Sequence, residues 1–136
     1  MTHLDALRYH AADQLLEVVH PRPLELASRS EIQDFFHAVE RFWRERCGKQ
    51  KVYGLVCLDN ITIPPQATQL YAEGLAPLLD RVFLAVVRYG GDPLHRTTVR
   101  LGGLMIHTPS RIYATREDAL AVVRGLRAGT VSLDKG

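Results

Sequence analysis

No stretch of this chain is apolar for long enough to cross a bilayer, and its first residues, MTHLDALRYH, contain no apolar core of signal-peptide length. The expectation is a cytoplasmic protein without membrane insertion. Cysteine is scarce: Cys47 and Cys57 are the only two, and neither stands in a CxxC or Cys/His spacing. That leaves no basis for a zinc site or a disulfide framework, and the pair is expected as reduced, buried thiols. Charge of one sign is lacking too. The net charge is +2, there is no block of like charge, and basic residues are not interleaved with stacking aromatics, so the footprint of a nucleic-acid binder is missing. The balance is uneven along the chain, however. Nine of the 17 basic and eleven of the 15 acidic residues lie up to Val87, leaving eight and four from Arg88 onward, a mildly basic C-terminal part.

Catalytic motifs are absent as well. There is no GxSxG to present a nucleophile on a tight turn, no Walker loop, and no GxGxxG after a strand to cradle a dinucleotide. Nothing calls for a cofactor or a metal. Asp59 and Asp92 fall at strand ends, but two acids so placed make an acid–base pair only within a shaped cleft. His10 and His20, also at strand ends, read as edge or surface residues.

What is present is a chain of about 136 residues with 46% hydrophobic and 24% charged residues, which bounds a single globular domain over 1–136. Its organising stretch is Lys51 to Pro65, KVYGLVCLDNITIPP. The apolar run Val52 to Leu58 has strand length and ends in Asp59-Asn60, as a central parallel strand delivering a loop would. Before it, LRYHA and LLEVVH, separated by Ala12-Asp13-Gln14, predict an opening strand pair. Ser28 to Glu31, or Ser30 to Gln33, has capping-box spacing for a helix ending at Gly48, with Ile32, Phe35, Phe36, Val39, Phe42, Trp43 and Cys47 on one apolar stripe.

After the central strand a helix is expected from about Pro64 to Asp80, with Thr62 as cap and Pro65 in its first turn. Gly74 and Pro77 predict a kink or interruption near Ala76. Val82 to Val87 is the next buried strand. It opens into Arg88-Tyr89-Gly90-Gly91-Asp92-Pro93, where the glycines permit a sharp turn, Asp92 caps and Pro93 starts a third helix that ends before Pro109. Gly102-Gly103 within that helix predicts close backbone approach to a neighbour. Arg111 to Ala114 is a short strand, Thr115 and Asp118 start the last helix, and the tail from Gly129 is expected to fray. The order predicts an α/β fold: a four- or five-stranded, mostly parallel sheet with an initial strand pair, covered by about four helices.

Two segments, Gly54 to Ile63 (GLVCLDNITI) and Ile112 to Leu120 (IYATREDAL), together with the order of elements, resemble the STAS domain, the module of sulfate transporter tails and anti-sigma-factor antagonists. The likeness is to its small stand-alone bacterial members. The resemblance implies a STAS-like fold and a non-catalytic regulatory or protein-interaction role. In the antagonist branch a phosphorylatable serine or threonine opens the helix after the signature strand; here Ile63-Pro64-Pro65-Gln66-Ala67 holds no hydroxyl, and Thr62, the only nearby candidate, sits a few residues early and reads as a cap, so the usual phosphoswitch is not expected. The alternative is a domain, possibly enzymatic, that binds a small anionic or lipid-like ligand. Parallel strands bring their C-terminal loops to one edge, and a helix opening at Gly90-Gly91-Asp92 offers free amides to an anion. The candidate ligand or partner residues are therefore Asp59, Asn60, Thr62, Gly90, Gly91, Asp92, His95 and Arg96, with Arg88 and Arg100 adding charge. The expected partner is a second protein or a second copy of this chain.

Overall fold

Local signals place most elements. The computed structural model describes residues 3–105 and 111–130. Strands β1 (Leu7–His10) and β2 (Leu15–Val18) form the predicted antiparallel pair around a short 3-10 turn, where Gln14 takes the left-handed conformation with φ 51°. Helix α1 (Arg29–Arg46) begins in a complete capping box: Ser28 Oγ accepts from Glu31 N at 3.1 Å, and Glu31 Oε1 accepts from Ser28 N at 3.1 Å. Of the two alignments the sequence allowed, the structure uses Ser28. Next come β4 (Val52–Cys57), α2 (Thr68–Arg81), β6 (Phe83–Tyr89), α3 (Pro93–Met105), β7 (Arg111–Tyr113) and α4 (Arg116–Ala128). Two minimal strands, β3 (Leu24–Glu25) and β5 (Ile61–Thr62), pair with each other in parallel.

The main sheet has the order β1-β2-β4-β6-β7, parallel except for β1. The fold is α/β, with a five-stranded, mostly parallel sheet, an antiparallel initial pair and four helices. Each step from β2 to β4, β6 and β7 moves one place in the same direction. Right-handed crossovers then put α1, α2 and α3 on one face, and the larger core lies there, joining Val18, Val52 and Val86 to Ile32, Phe36, Tyr71, Leu75 and Val99. Helix α4 follows the last strand and is free of that constraint. It covers the other face, where Leu15, Leu55 and Val87 meet Ala119 and Val123. No helix among the described residues is long and apolar enough to cross a membrane.

Four expectations are corrected. Thr62 caps no helix: it lies in β5 opposite Glu25, and the chain reaches α2 through a 3-10 turn at Pro65–Ala67 whose leading residue, Pro64, has no side-chain oxygen to offer. Of the kink or interruption expected near Ala76, the interruption is absent: α2 runs as one helix past Pro77. Pro77 and Glu73 are both exposed, so water can serve the carbonyl that proline leaves without a donor. The central strand ends one residue early, at Cys57. His20 is buried rather than at a surface edge, its ring 5.5 Å from that of Phe35.

Gly74, anomalous in a helix, has a packing reason. A Cβ there would stand 2.7 Å from Phe36 Cδ2, so the missing side chain is what lets α1 lie against α2. Gly102 and Gly103 fall inside α3, which packs on α2. The expected frayed tail lies outside the described residues from 131 onward, as does the chain just before Pro109.

Candidate functional site

The parallel ladder carries the loops after β4, β6 and β7 to one edge of the sheet. Leu58 N donates to Tyr89 O at 2.9 Å, and Gly90 N donates to Tyr113 O at 3.0 Å, so the three strand ends stand side by side. From there Asp59 reaches across to the next loop. Its Oδ1 accepts from Gly91 N at 2.8 Å, while the Cys57 thiol lies 3.5 Å from Oδ2. Gly90 and Gly91 take φ of 74° and 79°, the left-handed region that glycine enters freely. At Gly90 a Cβ would come within 2.5 Å of Asp59 Oδ1. Arg96, one turn into α3, donates from Nε to Gly90 O at 2.9 Å. Asp59, Gly90, Gly91 and Arg96 therefore form one internally bonded unit, in which a carboxylate from the neighbouring loop already takes an amide that a bound anion would need.

The other candidates serve different ends. Asn60 turns away from this unit: its Nδ2 donates to His20 O at 2.6 Å and its carbonyl accepts from Leu24 N at 2.7 Å, pinning the segment that follows β2. Thr62 extends the same attachment, its carbonyl accepting from Leu26 N at 2.8 Å. Asp92 is exposed, and its carbonyl takes the Arg96 amide at 3.0 Å as α3 begins. His95 lies in the first turn of α3. Arg100 is exposed on α3. Arg88 does not add charge to this edge: it is buried, and alternation along β6 turns it toward α1 and α2 together with Val86.

The cysteines are poor nucleophiles. Burial pushes the Cys47 thiol up to about 11 and also raises that of Cys57, so both stay protonated near neutrality. Burial, with Cys57 alongside, likewise raises the Tyr89 hydroxyl. Among the described residues, no three His, Cys, Asp or Glu side chains group so as to hold a metal ion.

A second polar cluster, unforeseen from sequence, lies on the α4 face. Glu17 is buried in the middle of β2, and Arg116 grips it with two of its nitrogens, Nε to Oε2 at 2.8 Å and Nη2 to Oε1 at 3.0 Å. His10 Nε2 is 2.8 Å from Oε1. Burial raises the Glu17 carboxyl, but the bonds from Arg116 and His10 outweigh it and hold the group below the usual carboxylate range. The visible signal was a lone carboxylate in the apolar run LLEVV; its partner, 99 residues away, was not legible. Arg124 and Arg127 extend the attachment, reaching Asp13 at 3.2 Å and Ala12 O at 2.9 Å. This cluster fastens α4 across the opening hairpin, and its geometry is that of an ion-pair brace rather than of an acid–base pair. No protein-family model, curated protein or solved structure matches this chain.

Proposed function

We propose that this chain is a non-catalytic regulatory domain of STAS-like type, working in the bacterial cytoplasm by docking to a partner protein or to a second copy of itself, and without a hydroxyl phosphoswitch. The order of elements and the aspartate in the loop just after the central strand support the reading. The observation that carries it is the closed state of the strand-end edge. Because the Asp59 carboxylate takes the Gly91 amide at 2.8 Å, this edge offers a partner a braced surface rather than an anion an open cradle. Beside it, α3 exposes Leu94 and Leu101, at 62% and 48% of their full areas. Seven residues apart, they share one helix face, the arrangement by which an apolar stripe meets a groove or a like helix.

The test compares the wild type with the Leu94→Glu/Leu101→Glu variant by native mass spectrometry and sedimentation, using protein from its own host. A dimer or a defined heteromeric mass that the variant loses, with unfolding temperature unchanged, is the expected result. A monomer in both, carrying a small co-purified mass, would instead favour the ligand-binding alternative.

A further inference from the structure

Strand β1 stands at one edge of the main sheet, and among the described residues no strand pairs with its outer side. Val19 N donates to Ala6 O at 2.8 Å, and this bond sets the alternation along the pair. Arg8 and His10 turn their backbone groups toward β2, while Leu7 and Tyr9 turn theirs outward. Of the devices that blunt an open edge, β1 has one charge, Arg8, but no proline and no bulge. Beside it a cavity of about 330 Å³ opens against the C-terminal end of α1, lined by Leu7, Arg8, Tyr9, Phe42, Glu45 and Arg46. That volume falls within the range of ordinary binding clefts.

Charge selects the occupant. Leu7 and Phe42 are buried and give the cavity an apolar floor, whereas Arg8 and Arg46 are exposed. The Arg46 guanidinium lies 5.9 Å from the centre of the Phe42 ring, over that floor. Glu45, the one acid on the wall, is held by Arg41 Nε at 3.1 Å. Among the described residues no carboxylate pairs with Arg8 or Arg46. A second copy of β1 fits this edge poorly: with Leu7 opposite the Tyr9 of the other copy, the two Arg8 side chains face each other, a like-charge pair. We propose that the β1 edge takes up an extended acidic segment of a partner protein as a sixth strand. Its backbone bonds to Leu7 and Tyr9, its apolar side chains lie over Phe42, and its carboxylates meet Arg8 and Arg46. Main-chain bonds supply affinity in this mode, and the alternating side chains supply specificity. The edge lies across the sheet from α3, so the inference holds whether or not α3 carries an interface.

The experiment titrates an acetylated and amidated hexapeptide of alternating valine and glutamate into the full chain at constant ionic strength. It follows backbone amide resonances and their exchange with solvent. A saturable shift at Leu7 and Tyr9 is expected, with their exchange at least tenfold slower at saturation, because both amides gain an acceptor. The Arg8→Gln/Arg46→Gln variant should bind at least tenfold more weakly; both positions are exposed, so its fold should persist. Should it not fold, two control peptides on the wild type decide: one with lysine for glutamate, one with every amide N-methylated. Equal binding of either control, an undiminished response in a folded variant, or no slowing at Leu7 and Tyr9 would overturn the proposal. A concentration-dependent dimer that protects the same amides without peptide would also overturn it, assigning the edge to a second copy.

Discussion

At the scale of single residues, the contact between Asp59 and the glycine turn can be separated from backbone conformation because the chain supplies its own control. Gly90 and Gly48 have similar positive φ, 74° and 66°, but a Cβ at Gly48 would meet nothing within 4 Å, whereas at Gly90 it meets Asp59 Oδ1 at 2.5 Å. Gly48→Ala should lose about 1 kcal/mol, the cost of placing an L-residue in the left-handed region. Gly90→Ala should lose about 3 kcal/mol, because steric overlap adds to that cost. Equal losses in denaturant unfolding would mean that Asp59 simply moves aside. The Glu17–Arg116 pair gives a pH dependence. The Glu17 carboxyl is lowered in the folded state, so its contribution is complete above the ordinary carboxylate range and is lost as pH falls through the folded value. Arg116→Ala leaves the buried Glu17 carboxylate with His10 alone beside it and should cost about 2 kcal/mol near neutrality, less than breaking a fully buried pair because the arginine is partly exposed and His10 remains. That penalty should shrink in acid as Glu17 takes up a proton. A penalty independent of pH would show that Arg116 acts through packing alone.

At the scale of elements, caps and their substitutes can be ranked. Ser28 and Thr115 each accept a hydrogen bond from the amide three residues on, at 3.1 Å, and alanine at either should lose about 1 kcal/mol. Thr62, in β5, has no such bond to lose, and Thr62→Ala should stay within about 0.5 kcal/mol of the wild type. A loss at Thr62 as large as at Thr115 would return it to the role its sequence position implied. The misreading has a physical origin. A threonine shortly before a proline-led segment resembles a cap, but capping needs the first free amides of a helix within reach, and here β5 pairing and a 3-10 turn intervene. The two-residue strands were invisible for a related reason. Each is too short to show alternation, and each exists only because the other is beside it.

At the scale of the whole molecule, β4 and β6 lie at the centre of the sheet with neighbours on both sides. They should therefore be the slowest segments in native-state hydrogen exchange, with β1 and β7 faster at the edges; fast exchange in β4 or β6 would contradict this order of protection. The sequence by itself determined the elements whose signals are local: the apolar stripe from Ile32 to Phe42, the strands read at Val52 to Leu58 and Val82 to Val87, though with ends the structure moves to Cys57 and Tyr89, the Thr115 cap, and through their alternation a mostly parallel α/β sheet. Only the tertiary structure decided what those elements bring together. It set Asp59 on the Gly91 amide, turned Arg88 from the loop edge into the core, joined Glu17 to an arginine 99 residues away, and let Phe36 fill the space at Gly74. Period and capping chemistry act within a few residues and are written in the order of the chain. Side-chain partnerships across the sheet depend on register and on the face each strand presents, and those are settled only when the layers pack.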